Sequence, residues 1–347
     1  SASSAPAEEV INSFKPESWT EGYVRENVDG RKKTILRADP VPAGAKQEVT
    51  RVEYYNFGTE ASPDWDSYTE ISTEQELLDL AGDDTKWGGN YVLAGDIQLT
   101  GGSFSPIGTE TVPFSGKFSG NGHVLTNVKI SAAGDYIGLF GYNTGTITYV
   151  GIESGEISGG NCTGSICGLN AGTITGCYNS GEITGNGYVG GIVGQTTKAV
   201  TSCYNTGSVT GSSNYVAGIV AYASGASASV KNCFNRAYVK STGSNVGAVV
   251  GMTNNASAAM SNLYYLDFTC SQGIGSAKST AQTATAVSKD TMASADFVTS
   301  MNTGLTTAAF GSSRYSPALT WQTDLIGLKT PVVGNVNLDP SFIWRIV

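Results

Sequence analysis

A short motif recurs five times along the chain and constrains its fold more than any other feature. Each copy places an apolar pair between small residues: Gly138-Leu139-Phe140-Gly141, Ser165-Ile166-Cys167-Gly168, Gly191-Ile192-Val193-Gly194, Gly218-Ile219-Val220-Ala221 and Ala248-Val249-Val250-Gly251. Successive copies begin 27, 26, 27 and 30 residues apart. A fixed period of this length is typical of proteins built from one structural unit per repeat.

A second motif keeps nearly the same period, in phase with the first. Its copies are Gly151-Ile152-Glu153, Cys177-Tyr178-Asn179, Cys203-Tyr204-Asn205, Cys233-Phe234-Asn235 and Leu263-Tyr264-Tyr265. The steps between their central residues are 26, 26, 30 and 30. Two motifs that share one period over five copies indicate that the copies stack as equivalent coils.

The expected fold is all-β, a right-handed parallel β-helix, or solenoid, with caps at its N- and C-terminal ends. Each copy holds strands too short to bury a core alone, whereas stacking at about 4.8 Å pairs every strand with the coils above and below. The right hand follows from the crossover preference of parallel strands. The caps are expected because a bare end would expose unpaired strand edges. Glycines are expected at corners that require a positive φ.

The two motifs together resemble the GLUG repeat of bacterial surface proteins. That family includes adhesin-like proteins and non-catalytic regions of IgA1-cleaving metallopeptidases. Residues 96–123, which contain Phe114-Ser115-Gly116 and Gly120-Asn121-Gly122-His123, are similar to the coils that precede the repeats in the family. The stretch from Ala295 to Val333 is similar to its closing segment. The resemblance covers about residues 68–335 and implies an extracellular or bacterial cell-surface location without catalysis.

The motifs and the charge density divide the chain into four predicted segments. Residues 1–67 are predicted to be an N-terminal β-rich extension or small domain, because 18 of the first 60 side chains are charged. Residues 68–131 are predicted to hold a cap helix, which begins after Ser72 or Thr73, and the lead-in coils. The repeats occupy 132–266. Residues 267–347 form the C-terminal cap, with a short helix near Asp296–Met301.

Composition excludes several functions. The chain has 347 residues, a net charge of −9 and only 14% charged residues, so its surface is a poor partner for nucleic acid or for anionic lipid. No apolar run approaches the ~18 residues of a membrane span. A single histidine, His123, excludes zinc sites built on two histidines. We therefore predict no cofactor, no metal site and no membrane insertion within this chain.

The six cysteines raise the question of a disulfide framework. Cys177, Cys203 and Cys233 occupy one repeat position beside apolar ladders, so we expect a column of buried, unpaired thiols. Side chains that leave parallel strands in one direction rarely meet the torsion requirement of a disulfide. Pairing of Cys162 and Cys270 stays open, because an even cysteine count in a secreted protein favours bridges.

The polar residues give only weak catalytic candidates. Glu156 and Glu182 recur in register, and neighbouring coils would place their backbones near the separation of a retaining glycosidase pair. The next copy has Ser208 at this position, and no positive partner is evident. His123 stands at a corner and is interpreted as structural. Lead-in loops with Asp83, Asp84 and Asp96 are the remaining acidic candidates.

One register of aromatic residues is the candidate ligand site. It comprises Tyr178, Tyr204, Phe234 and Tyr264. An exposed row of such rings could bind sugars by stacking, with the phenol groups as polar partners. Equally, the row could serve the structure as ordinary ladder stacking, packed partly under a loop.

Three functions remain open. The favoured hypothesis is a non-catalytic, adhesin-like surface protein that binds an extracellular ligand, either a carbohydrate or a host protein. The second is a carbohydrate-active β-helix enzyme, a polysaccharide lyase or glycosidase. No lysine or arginine occurs between Lys129 and Lys198, so side-chain cations for lyase chemistry are scarce in the repeats. The third is a purely structural stalk.

Overall fold

The computed structural model describes residues 24–38, 49–102, 104–313, 316–321 and 344–346. These residues form two compact units. One unit contains the described residues up to Tyr68 together with 344–346, and the other begins at Thr69. Those parts of the predicted N-terminal extension and C-terminal cap that fall on residues 1–23, 39–48, 314–315, 322–343 and 347 lie outside the described residues.

The first unit is a five-stranded antiparallel sheet. In spatial order its strands are β33 (Trp344–Ile346), β1 (Val24–Asp29), β2 (Lys32–Ala38), β3 (Val49–Asn56) and β4 (Trp65–Asp66). A two-residue turn at Gly30 and Arg31 joins β1 to β2, and Gly30 adopts a φ of 55° there. A left-handed conformation suits the primed turns that match the twist of hairpin strands. The charged, alternating N-terminal segment therefore forms β-structure where it is described.

The second unit is a stack of about seven coils whose strands run parallel, with few helices. The prediction of an all-β parallel β-helix is confirmed. A six-stranded sheet follows one face of the stack, with β10 (Phe140–Asn143), β13 (Cys167–Asn170), β18 (Val193–Thr196), β23 (Val220–Ala223), β27 (Val250–Thr253) and β29 (Ile274–Ser276). A three-stranded sheet lies beside it, with β17 (Val189–Gly190), β22 (Val216–Ala217) and β26 (Val246–Gly247).

A 17-stranded sheet completes the wall of the stack. Its lead-in strands are β5 (Thr69–Ile71), β6 (Asn90–Leu93), β7 (Ile97–Gln98), β8 (Lys117–Ser119) and β9 (Val124–Ser131). The repeats contribute β11 (Thr146–Thr148), β12 (Gly151–Ser158), β14 (Thr173–Thr175), β15 (Tyr178–Asn179), β16 (Glu182–Gly185), β19 (Ala199–Thr201), β20 (Tyr204–Asn205), β21 (Val209–Gly211), β24 (Ser229–Asn235), β25 (Val239–Ser241) and β28 (Ala259–Leu266). The last parallel strand is β30 (Thr285–Val287).

Short helices flank the stack. Helix α1 (Glu74–Ala81) begins where predicted, because the Thr73 side chain accepts a hydrogen bond from the Glu76 amide at 3.2 Å. Near the C-terminal end lie α2 (Lys289–Met292) and α3 (Ala295–Met301), followed by the antiparallel pair β31 (Phe310–Gly311) and β32 (Ala318–Leu319). Helix α3 matches the predicted helix near Asp296–Met301.

The apolar residues of the first motif line the interior of the stack. The five that occupy its second position are fully buried: Leu139, Ile166, Ile192, Ile219 and Val249. Burying one such side chain contributes about 1.5–3 kcal/mol. Repetition in every coil makes the core continuous along the axis.

Glycine has a different role from the one expected. The repeated corners with positive φ are occupied mainly by other residues, in one column by Tyr136, Cys162, Tyr188, Tyr215 and Asn245, and in another by Tyr149, Gly176, Ser202, Asn232 and Asn262. The motif glycines instead permit close approach of neighbouring coils. A Cβ on Gly218 would lie 2.2 Å from the Ala248 carbonyl oxygen.

The register of the second motif also needs a correction. Tyr178 pairs with Gly151, so Ile152 is equivalent to Asn179 and not to Tyr178. The reason is space, since a Cβ on Gly151 would lie 2.3 Å from the Tyr178 ring. The inward column is therefore Val150, Cys177, Cys203, Cys233 and Leu263, all buried.

Two columns of buried amides fix the coils against one another. In the first, Asn179 donates to Asn205 at 2.8 Å, and Asn205 donates to Asn235 at 3.0 Å. In the second, Asn143 donates to Asn170 at 2.8 Å, and Asn170 donates to the Thr196 hydroxyl at 3.1 Å. Each asparagine also bonds the turn that follows it, so the buried amide groups are satisfied.

Candidate functional site

The predicted aromatic row forms a stack, but most of it is buried. The Tyr178 and Tyr204 rings lie 5.1 Å apart at an interplanar angle of 5°, and Tyr204 and Phe234 lie 5.0 Å apart at 1°. These three residues are at most 5% exposed, and only Tyr264 is partly exposed. The row is therefore the centre of a second hydrophobic core.

The C-terminal segment covers the row. Phe297 of α3 meets Tyr264 edge-on at 5.0 Å, Phe310 lies 5.9 Å from Phe234, and Trp321 lies 5.6 Å from Tyr178. The Tyr178 hydroxyl donates to Glu153 at 2.5 Å, and burial raises the pKa of this tyrosine well above its usual value. This placement corrects the hypothesis of an exposed sugar-binding row, because three of the four rings have no face open to a ligand.

The carboxylate pair lies on a column of side chains that, unlike the aromatic row, is exposed to solvent. Glu156 pairs in register with Glu182 on one side and with Lys129 on the other, so a cation does flank the pair. Both carboxylates are exposed. The column continues through Ser208 to Tyr238, and its polar character fits a solvated face better than a catalytic cleft.

Tyr238 of this column and the neighbouring Phe268 remain exposed. Tyr238 is 53% exposed and Phe268 is 46% exposed, and their ring centroids lie 5.8 Å apart. Lys240 lies over the Tyr238 ring at 5.9 Å and Lys289 over the Phe268 ring at 5.5 Å. Exposed cation–π contacts of this length are weak, and they shield the ring faces with charge.

The acidic residues of the lead-in loops serve local structure. Asp96 accepts a hydrogen bond from the Val124 amide at 3.0 Å and lies 3.2 Å from His123 Nδ1, which agrees with a structural histidine. Asp83 caps a short 3₁₀ turn, and hydrogen bonds from Thr85 lower its pKa. A shallow depression of about 370 Å³ lies nearby, where Glu74 of α1 accepts two hydrogen bonds from Thr100.

The cysteine column faces inward, as predicted. Cys177, Cys203 and Cys233 are fully buried free thiols, and each donates to the carbonyl two residues before it. Burial raises the pKa of Cys177 and Cys233 above the ordinary thiol value, and it raises the pKa of Cys162 to about 12. The sequence left open whether Cys162 and Cys270 form a disulfide. In the structure both thiols are free.

Alkylation should distinguish the partly exposed thiol from the buried thiols. In the native chain at pH 8 we expect iodoacetamide to label Cys270 alone, because the other five cysteines are buried and the reagent cannot reach their sulfur atoms. In denaturant all six should react, as counted by mass spectrometry. Cys270→Ser is the control and should leave the native chain unlabelled. Fewer than six labels after unfolding without reductant would contradict the assignment of free thiols.

Tyrosines form a different exposed surface, which we call the tyrosine face. Three of them occupy the positive-φ corner column (Tyr136, Tyr188 and Tyr215), and two lie on the outward side of the six-stranded sheet (Tyr142 and Tyr222). All five are half-buried. Tyr136, Tyr188 and Tyr215 lie two or three residues before a copy of the first motif, and Tyr142 and Tyr222 directly follow one. The sequence carries this pattern, which the prediction of the aromatic row missed.

Ring contacts join the tyrosines of this face into two groups. Tyr188 and Tyr215 lie 4.6 Å apart at 30°, and Tyr222 lies 5.5 Å from the first and 5.4 Å from the second. On the preceding coils Tyr136 and Tyr142 lie 5.9 Å apart. None of the five hydroxyls bonds to a residue that the structure describes, so the polar tips are available to a ligand.

The columns that carry this face contain no charged side chain over five coils. One column reads Tyr142, Leu169, Gln195, Tyr222 and Met252, and the other reads Tyr136, Cys162, Tyr188, Tyr215 and Asn245. Asp135 and Glu110 lie near one end, where burial and their charge raise the pKa of Tyr136. The face thus combines rigid rings with neutral hydrogen-bonding groups.

Two further observations concern metal binding and membrane crossing. Within the described ranges, no three His, Cys, Asp or Glu side chains are grouped so that they could hold a metal ion. The helices described there are too short or too polar to cross a membrane.

Comparisons with known proteins bear mainly on the fold. No family model matches it. It is 30% identical over 159 residues to halomucin of Haloquadratum walsbyi, a match that covers 42% of this chain and 2% of halomucin. A solved structure from Bacteroides ovatus, named as a "putative immunoglobulin A1 protease", matches with a TM-score of 0.57 and 19% identity.

The structural match covers 77% of this chain and 95% of the Bacteroides ovatus chain. At that identity the likeness shows the fold alone. The sequence match with halomucin involves a small part of a far longer protein. The structural match therefore supports the fold, and activity and ligand must be argued from the surface.

Proposed function

We propose that this chain is a non-catalytic extracellular platform of a microbial surface protein, built from GLUG-like repeats, that binds a ligand along its coils. The observation that carries the proposal is the tyrosine face, a rigid, uncharged surface whose hydroxyls have no partner among the described residues. Aromatic rings with polar tips are well suited to recognition at a surface that stays in water.

A location outside the cell is supported by two observations. The partial likeness to halomucin is the first. The second is the sparse, acidic charge, with 14% charged residues and a net charge of −9, which keeps such a surface soluble and disfavours anionic partners. An adhesin-like role is the finer form of this proposal.

Binding without catalysis fits the distribution of polar groups. An active site needs a unique, asymmetric cluster of acid, base and charge-stabilising groups. Here the buried polar side chains repeat from coil to coil as amide ladders, and the carboxylate pair is exposed and flanked by Lys129. A carbohydrate-active enzyme is the second candidate, and Glu156 with Glu182, which pair in register, would be its catalytic carboxylates.

The proposal predicts saturable binding with no turnover. The purified chain should bind at least one class on an array of glycans and extracellular matrix proteins. Incubation with plant, mucin and bacterial polysaccharides should yield neither new reducing ends nor unsaturated products. Turnover that disappears in Glu156→Gln or Glu182→Gln would establish the enzyme. Absence of both binding and turnover would leave the structural stalk and reject the platform.

A further inference from the structure

We infer that the tyrosine face binds an extended, neutral polysaccharide that lies along the solenoid axis, with about one sugar residue per coil. The inference rests on the proposed platform function and names its ligand class. It assigns recognition to Tyr136, Tyr142, Tyr188, Tyr215 and Tyr222, and not to the aromatic row under the C-terminal segment.

Rigidity is the first argument. Each tyrosine of the face touches at least one other ring, and Tyr222 touches both Tyr188 and Tyr215. The corner column is further fixed by backbone pairing of Val189 with Val216 directly beside it. Side chains that are already ordered lose little conformational freedom on binding, which favours affinity.

Chemical character is the second argument. A neutral sugar presents C–H faces, which pack on aromatic rings, and hydroxyls, which hydrogen-bond in both directions. The face offers aromatic rings and phenol groups, and the Gln195 side chain lies in register between Leu169 and Tyr222. Its two columns carry no cation that would select an acidic sugar, and Asp135 at one end would repel one.

A protein partner fits this surface less well. Protein interfaces concentrate energy in large anchors, commonly Trp, Tyr and Arg, that fill pockets and are fully desolvated. The tyrosines here are half-buried against each other and form a shallow, repeating surface. Leu169 and Cys162, at 8% and 7% exposure, lie low between the two groups of rings. A shallow surface that extends over several coils fits an extended ligand.

Spacing is the third argument. Neighbouring coils are about 4.8 Å apart, which is close to the advance per residue of an extended chain of linked pyranose rings. Three coil steps separate Tyr142 from Tyr222 in the six-stranded sheet, a distance of about 14 Å. A sugar chain of about four residues would therefore span the face, and longer chains should gain little.

The test measures binding of neutral oligosaccharides, such as gluco-, manno- and galacto-oligosaccharides of about two to eight residues, by calorimetry with the purified chain. We expect affinity to rise with length and to level off near four residues. The double variant Tyr188→Ala/Tyr215→Ala should bind at least about tenfold more weakly. Tyr238→Ala, which alters an exposed tyrosine on another face, is the matched control and should bind as the unaltered chain does.

A milder variant guards against loss of folding. Tyr188→Phe keeps the ring contacts and removes one hydroxyl, so it should retain the thermal midpoint and weaken binding by a few fold. Equal loss in Tyr238→Ala, preference for acidic polymers, or competition only by a protein ligand would overturn this inference and leave the platform function standing. Absence of binding to glycans and proteins alike would overturn both.

Discussion

Replacing Ile219 with aspartate should abolish the folded solenoid. Ile219 is fully buried in the continuous core, between Ile192 and Val249 of the neighbouring coils. The variant would bury a carboxylate without a cationic partner, and substitutions of this kind cost more than about 4 kcal/mol. We expect the chain to be insoluble or to lose its cooperative transition in thermal unfolding followed by circular dichroism.

The matched control lies on the same coil. Thr210 is exposed on β21, and its register neighbours are Thr184 and Lys240. Thr210→Asp should therefore change the free energy of unfolding by no more than about 0.5 kcal/mol. A thermal midpoint of Ile219→Asp within a degree or two of the unaltered chain would show that the inward face is assigned wrongly.

The second large effect should come from the buried amide ladder. Asn205 accepts hydrogen bonds from Asn179 and from the Gly207 amide, and it donates to Asn235 and to the Gly207 carbonyl. Asn205→Leu keeps the number of heavy atoms and the branched shape of the side chain, although leucine is bulkier, and it leaves these buried groups unpaired. At about 1–3 kcal/mol for each unsatisfied group, partly relieved by relaxation, the loss should reach about 3–5 kcal/mol.

Urea unfolding gives the measurement, with the midpoint read at constant slope. Asn186 provides the control, since its side chain is exposed and bonds Asn161 and Ser212 at the surface. Asn186→Ala should cost less than about 1 kcal/mol. If both variants lost the same small amount, the ladder would contribute no more than surface hydrogen bonds do.

The period of the motifs was enough to predict the coils, because each inward column repeats one apolar position. Ile192 and Ile219 could be assigned to the core from spacing alone. The role of the glycines could not be assigned from spacing. A close approach between coils, as at Gly218, and a positive φ both select glycine, so the sequence does not distinguish the two causes. The register of the second motif at Gly151 differs by one residue from the predicted register. The sequence did not show this, because the Tyr178 ring of the next coil occupies the space that a side chain at position 151 would fill.

The exposure of the aromatics depended on contacts distant in sequence. Tyr178 and Tyr204 alternate with inward residues just as an exposed row would, and only the C-terminal segment decides that they are buried. Trp321 lies 5.6 Å from Tyr178 although 142 residues lie between them in the sequence. A repeat analysis treats coils as equivalent to their neighbours and carries no information on such a cover. Three members of the tyrosine face, Tyr136, Tyr188 and Tyr215, by contrast recur at equivalent corners and could have been found by aligning the coils.

The C-terminal segment also constrains how many coils can lie between its attachment points on the stack. At one end Asn232 and Asn262 donate hydrogen bonds to the carbonyl of Met301, at 2.8 Å and 3.3 Å. At the other end Trp321 donates to the Gly176 carbonyl at 3.0 Å. A coil duplicated or deleted between these attachment points would displace one end by about 4.8 Å, so recombination should vary the repeat count only outside this span.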